Sequence, residues 1–232
     1  MIHACPARLW YVDRILIPDM EAQGVDRAEI SVWNDIDQRG NLLSCVESMA
    51  LCGRIPGGIW HLQDDVLIAP DFAEKTAPEP AGVTCGFCFP SEHPAINFQG
   101  GNIPVLFMWY SFQCIYIPNA LAGEFAAWFY SKAQFREAYR ERIDEGKHDD
   151  WFFREFMLEE HPSARVANLS PNLVEHVDYL IGGTIINHER KRPSSRAVHM
   201  ESDALVAALE TRLAAMQTSK PRRRPDEADT RK

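Results

Sequence analysis

The stretch Trp60-His61-Leu62-Gln63-Asp64-Asp65-Val66-Leu67-Ile68-Ala69-Pro70-Asp71-Phe72 decides how this chain is read. Ile59 to Leu62 is a short apolar run. It follows the Gly57-Gly58 turn and leads straight into Gln63-Asp64-Asp65. A run of that length bounded by turn residues reads as a buried strand. The strand delivers two carboxylates at its carboxyl end, the edge of an open α/β sheet at which ligands bind. Two adjacent acids repel each other and any phosphate. A divalent cation reverses this, because Mg2+ or Mn2+ gathers carboxylate and phosphate oxygens around one ion. A solvated turn or a helix N-cap is the plain alternative for a bare Asp-Asp pair. The strand immediately before it brings the metal reading level with that alternative.

Working upstream, Met1 to Ala4 reads as a first strand. Pro6 then opens a helix, where its fixed φ and missing N–H do no harm. Leu9, Val12 and Leu16 give that helix an apolar face. Glu29 to Trp33 reads as a second strand, ending in Asn34-Asp35. Leu42, Cys45, Val46 and Met49 recur at helical spacing, with Gly53 as the stop. Strand, helix, strand, helix, strand within the first 65 residues predicts a parallel α/β sheet.

Downstream, Gly82 to Phe89 and Gln113 to Ile117 read as strands. Between them Pro90 to Pro104 is a long irregular stretch containing Gly100-Gly101, and loops of that length are usually functional or mobile. Asn119 is expected to cap one helix from about Ala120 to Glu145, ended by Gly146. A further helix begins at His148-Asp149-Asp150 and carries Phe153, Phe156 and Met157 on one side. Arg165 to Leu169 reads as a last strand, and Gly182-Gly183 break the chain again. Asp203 to Gln217 is an amphipathic helix with Leu205, Leu209, Leu213 and Met216 on one face.

The 232 residues amount to one α/β domain or two small ones, enough to bury about 70% of the unfolded surface without a disulfide or metal staple. Apolar residues at 46% and charged residues at 25% exclude wholesale disorder, collagen-like and coiled-coil character. No apolar run reaches the length of a membrane span. The segment MIHACPARLW lacks a basic region followed by an apolar core, so a secretory leader is not expected. The six cysteines are then expected to be reduced and the protein cytoplasmic. The net charge of −9 speaks against a duplex-binding body. The segment Ser219 to Lys232 differs: it carries six basic and three acidic residues and reads as a disordered basic tail.

Four other constellations carry chemistry. Asp149-Asp150 at a helix start is either an N-cap pair favoured by the helix dipole or a general base that takes a proton from an acceptor hydroxyl. His176, in Pro171-Asn172-Leu173-Val174-Glu175-His176-Val177, is either a core residue or a ligand for a borderline metal such as Mn2+. His188, Arg190, Lys191, Arg192 and Arg196 surround a Ser-rich turn and suit a diphosphate, or form a solvated loop. Cys85-Gly86-Phe87-Cys88 is a C-x-x-C inside a β-type run; buried thiols, zinc and redox chemistry are its three readings. Trp109, Tyr110, Phe112, Trp128, Phe129, Trp151 and Phe152 form an aromatic middle, mostly core, with room for one or two to stack on a sugar or base.

Taken in order, these elements resemble a glycosyltransferase of the GT-A fold, in particular the small stand-alone members of phages and bacteria. The residues that carry the likeness are CPAR, EISVW with NDIDQRG, LQDDV, CIYIP, HDDWFF, and PNLVEH followed by Gly-Gly and RKRPSSR. The resemblance implies a Rossmann-like, mixed and mainly parallel sheet flanked by helices over residues 1–200, followed by the 201–218 helix and the 219–232 tail. It implies a nucleotide-sugar donor, a UDP-sugar first, transfer to an acceptor hydroxyl, and Mn2+ or Mg2+ as cofactor. Gln63-Asp64-Asp65 would stand for the family's D-x-D motif, with Asp65 on the metal, Asp64 near the donor ribose or sugar, and Gln63 replacing the first acid. His176 would be the second metal ligand. Asp150, or else Asp149, would be the base of an inverting reaction. Ala4, Pro6, Arg8, Asp35 and Asn41 would surround the nucleotide, with Arg190 and Arg196 at the diphosphate. Two alternatives stay open: transfer to hydroxymethylated bases of phage DNA, favoured by the basic tail, and a non-catalytic zinc or redox module on Cys85 and Cys88.

Overall fold

The computed structural model describes residues 1–87, 101–104, 112–169, 171–182 and 202–218. Its strands are β1 (Ile2–Ala4), β2 (Val32–Asn34), β3 (Gly58–Gln63), β4 (Val66–Ile68), β5 (Thr84–Cys85), β6 (Gly101–Pro104), β7 (Cys114–Pro118), β8 (Arg165–Asn168) and β9 (Val174–His176). Seven of them form one sheet in the order β2-β1-β3-β7-β5-β8-β6, and β4 pairs with β9 in a small second sheet. β1 pairs in parallel with both β2 and β3, as the first 65 residues predicted. β7 and β6 run against their neighbours, so the sheet is mixed and mostly parallel.

Helices cover both faces. The helical stretch 6–22, here α1, and α2 (Asn41–Cys52) make the two crossovers of the parallel unit. The strand order reverses at β1: the chain moves outward to β2, then back past β1 to β3. Crossovers of one hand that travel in opposite directions must lie on opposite faces. The core agrees. Ile2, Ala4 and Leu62 pack with Tyr11, Val12, Ile15 and Leu16 of α1 on one face. Leu42, Cys45, Val46 and Met49 of α2 pack with Ile115 and Ile117 on the other. Pro18 explains the irregularity of α1. It has no N–H to donate to the preceding turn, and a π turn over Val12–Leu16 absorbs the defect just before it.

The remaining helices are α3 (Phe72–Thr76), α4 (Asn119–Ser131), α5 (Arg140–Asp144), α6 (Asp149–Glu160), α7 (Asp178–Ile181) and α8 (Ser202–Thr218). The single helix expected over Ala120 to Glu145 is therefore broken, with 3-10 turns at Ala133–Phe135 and Glu137–Tyr139 between α4 and α5. Arg136 is the pivot. Its backbone is extended (φ −82°, ψ 119°), its guanidinium lies 5.8 Å and 5.3 Å from the Trp128 and Tyr139 ring centres, and it donates to Glu159 at 2.6 Å. Asn119 does not cap α4 either. Pro118 holds the cap position, and Asn119 Nδ2 donates to Pro56 O at 3.2 Å, tying the end of β7 to the turn before β3.

The second strand also shifts: Glu29 belongs to a 3-10 turn capped by Asp26, and pairing begins at Val32. Among the described residues of 82–89 only Thr84–Cys85 is strand; after it, Gly86 N donates to Cys114 O and Gly86 O accepts from Leu173 N. Of the stretch 90–104, residues 101–104 form β6 against β8, and 90–100 lie outside the described residues. Cys88, Trp109, Tyr110 and the 219–232 tail also lie outside them. α8 packs on the α1 face through Val206, Leu209 and Leu213, and Arg212 reaches Asp19 at 2.8 Å. Phe112, Trp128, Phe129 and Phe152 are core, while Trp151 is half-buried with Arg142 4.4 Å from its ring centre. Among the described residues no helix is long and apolar enough to cross a membrane.

Candidate functional site

β3 ends at Gln63, and the next two residues turn the chain into β4. Asp64 and Asp65 are thereby set at the carboxyl edge of the sheet, beside the carboxyl end of β1. This is the place where the strand order reverses, and crevices form there because the flanking crossovers diverge to opposite faces. Both acids are buried. Cys5 N, just past β1, donates to Asp64 Oδ2 at 2.7 Å. Arg8, in the first turn of α1, sends Nη1 between the two carboxylates, 2.6 Å from Asp64 Oδ1 and 2.7 Å from Asp65 Oδ2. Its Nε donates to Gly182 O at 2.9 Å, which draws the end of α7 into the same edge.

The small sheet supplies the fourth side chain. β9 pairs with β4 so that His176 lies opposite Val66, and Val177 N donates to Asp65 O at 2.8 Å. His176 Nε2 then stands 3.1 Å from Asp65 Oδ2, with Asp178 Oδ1 3.8 Å from its Nδ1.

The electrostatics divide the two acids. Burial alone would raise Asp65; the charge and hydrogen bond of His176, with Arg8 added, more than offset it and hold Asp65 well below the usual carboxylate range. Asp64 moves the other way, raised by burial and by the charge of Asp65, with Arg8 and Cys5 N opposing. Burial alone would likewise lower Arg8, and Asp65 and Asp64 reverse that and keep it charged.

The second acid pair meets the first through Gln63. Gln63 Nε2 donates to Asp149 Oδ2 at 3.3 Å. A neutral amide can hold a carboxylate here where a third acid would repel it. Asp149 is buried at the start of α6, and burial followed by the charge of Asp150 pushes its carboxyl up to about 7. Asp150 is half-buried, and its Oδ1 accepts from Trp151 N at 2.7 Å.

Asp64, Asp65, His176 and Arg8 are thus brought together, with Ala4 at the end of β1 and Pro6 in the turn that carries Arg8. Asp35 N donates to Ala4 O at 2.9 Å, and the Asp35 carboxylate accepts from Arg39 N and Gly40 N, each at 3.0 Å. Asp35 therefore shapes the loop that leads to Asn41, the first residue of α2. Arg190 and Arg196, with His188, Lys191 and Arg192, lie outside the described residues. Sequence reasoning missed Cys5 N, Gly182 O, the amide of Gln63 and Asp178. Only Asp178 left a trace, an acid two residues after the candidate histidine. Main-chain donors and acceptors are the same at every residue and leave no signal.

Asp65, His176 and Asp64 are the residues at this edge that could hold a divalent cation. Asp65 Oδ1 is buried and has no hydrogen-bond partner among the described residues. Beside it stand an imidazole and a second carboxylate, and a guanidinium already holds a positive charge between the acids. No protein-family model matches this chain, and neither a curated protein nor a solved structure matches it.

Proposed function

We propose that this protein is a metal-dependent glycosyltransferase of the GT-A type that moves a sugar from a nucleoside-diphosphate donor, a UDP-sugar first, to an acceptor hydroxyl. The observation that carries the reading is Gln63. It joins a buried, proton-accepting carboxylate, Asp149, to the strand end that bears Asp64, Asp65 and, through them, Arg8 and His176. A base and a cation-binding acid pair on one sheet edge are the two parts that in-line glycosyl transfer requires.

Asp65 and His176 would hold Mn2+ or Mg2+, which supplies Lewis-acid neutralisation of the diphosphate. Arg8 holds the two buried acids together, and with His176 it favours the ionised form of Asp65. Asp149 acts as the base, and burial followed by the charge of Asp150 raises its proton affinity. The acceptor's O–H proton passes to an Asp149 carboxylate oxygen. The acceptor oxygen bonds the anomeric carbon as that carbon's bond to the diphosphate oxygen breaks. The electron pair leaves with the diphosphate and the configuration inverts. Gln63 keeps Asp149 aimed at the edge.

Thermal shift against nucleoside diphosphates and nucleotide sugars, with and without Mn2+, tests this directly. A ligand bound only by the native state raises the melting temperature by mass action. One nucleotide should shift the melt only with Mn2+, and Asp65→Asn should abolish that shift. Cooperative melting with no shift by any nucleotide overturns the reading, as does a metal-independent shift that survives Asp65→Asn.

A further inference from the structure

His3 on β1 and His61 on β3 point to the α2 face of the sheet, with Leu42, Cys45 and Phe112 buried on that side and Gln63 and Asp149 nearer the edge. His3 pairs in register with Gln63, two residues beyond His61, so the two imidazoles share one face of adjacent parallel strands. Their ring centres are 5.6 Å apart. Cys45, in the buried face of α2, completes the group. One nitrogen from each ring and the Cys45 sulfur all lie within 4.8 Å of one another. His61 and Cys45 are fully buried, and His3 is 5% exposed.

The hydrogen bonds around this group are those of a ligand set. His61 Nδ1 is 3.3 Å from Phe112 O, and a carbonyl can only accept, so Nδ1 carries the proton. Burial keeps the ring neutral. Nε2 is then a bare lone pair, fully enclosed, and it has no partner among the described residues. An unsatisfied buried acceptor costs about 1–3 kcal/mol, and a backbone carbonyl behind the far nitrogen is the usual support of a metal-bound imidazole. His3 is also held: its Nε2 is 2.8 Å from Ser44 Oγ, and that oxygen accepts from Trp33 Nε1 at 3.1 Å.

We propose that His3, Cys45 and His61 form a second metal site, one for zinc, separate from the acid pair. Two nitrogens and a thiolate suit Zn2+, whereas Mn2+ and Mg2+ prefer the oxygens of Asp64 and Asp65. Bonds of about 2.0–2.1 Å to nitrogen and about 2.3 Å to sulfur require the three atoms to close in by about 1 Å, within reach of small side-chain rotations. Binding converts the Cys45 thiol to thiolate, its proton passing to solvent. A water molecule takes the fourth position. The ion would pin β1, β3 and α2 together beneath the sheet edge. This inference does not depend on the glycosyl-transfer reading.

Two measurements on the full chain test it. After dialysis against Zn2+ and then metal-free buffer, elemental analysis should find about one zinc per chain, the one held by His3, Cys45 and His61. Cys45→Ser and His61→Asn should each lose it. Co2+ in place of zinc should give a thiolate charge-transfer band that is lost in Cys45→Ser and kept in Cys85→Ser and Asp65→Asn. If Cys45→Ser fails to fold, His61→Asn and the wild-type cobalt spectrum still decide. Absence of zinc from the wild type, a cobalt spectrum without a thiolate band, or zinc retained by folded Cys45→Ser or His61→Asn overturns the proposal.

Discussion

Two polar clusters grow from the same two strands, and they survive burial in opposite ways. At the carboxyl edge, the Arg8 guanidinium lies buried within 2.7 Å of both Asp64 and Asp65, with His176 beside Asp65. A few residues earlier on β1 and β3, His3 and His61 sit with Cys45 beneath the sheet. There burial lowers His3 to about 4 and holds Cys45 well above its usual range, so the group is neutral. The edge cluster therefore depends on the Arg8 charge between its acids, and the interior one on packing and hydrogen bonds. Strand geometry separates them: alternation sends His3 and His61 to one face, and the end of β3 sends Asp64 and Asp65 out of the sheet. Asp149 lies between the two, held by Gln63 from β3 and close enough to Cys45 for its charge to be felt there.

Asp149 is where the comparison is broken most sharply. Asp149→Asn should lower transfer by about 10²–10⁴-fold, measured as turnover with donor and acceptor saturating, while nucleotide binding persists. In the wild type the rate should rise with pH through about 7, as Asp149 loses its proton. Stability should run the other way. An acid raised from 3.8 to about 7 holds more protons folded than unfolded between those values, so its contribution falls as pH rises across that window. Asp149→Asn should then be more stable than wild type at pH 8 by an amount on the order of 4 kcal/mol at most, and the gain should vanish near pH 4. Urea unfolding at the two pH values measures it.

Arg8→Ala tests the charged cluster itself. It leaves two buried carboxylates without their cation and should cost about 3–5 kcal/mol in urea unfolding. Saturating Mn2+ should restore part of that loss. Full stability in Arg8→Ala would mean that water reaches the acids.

Ser44→Ala is the matching test of the neutral cluster. It removes the hydroxyl that His3 and Trp33 share. With no charge stranded, the loss should be about 1 kcal/mol, and a loss as large as that of Arg8→Ala would erase the distinction. The smallest effect belongs to Arg212→Ala. Arg212 meets Asp19 at 2.8 Å but is 42% exposed, so removing it should cost about 0–1 kcal/mol, less at high salt. That contrast isolates burial as the reason Arg8 matters.

Much of the frame was legible along the chain. Period and turn residues placed β1, β3, β7, β8, α2 and α6 to within a residue or two, because each buries its own apolar pattern. Local pattern failed where a distant partner decides. Nothing within 120–145 announces that Arg136 will be pulled out by Glu159 and two rings, and β4 and β9 are strands only because each finds the other. The two acid pairs and His176 stood out as residues, but His3 and His61 did not, since a lone histidine in an apolar run reads as core.

The sequence by itself determined a parallel α/β opening with two carboxylates after a strand, because periodicity and turn chemistry are local and act on neighbours in the chain. The tertiary structure decided what those carboxylates meet. Arg8 is 56 and 57 residues from its two acids and Gln63 is 86 from Asp149, and both pairs depend on the strand order β2-β1-β3 and the packing of α6 behind it. Which of two adjacent aspartates is buried, and so holds its proton to about pH 7, is likewise a matter of desolvation, a property of the folded surroundings that Asp149 and Asp150 do not carry in their own chemistry.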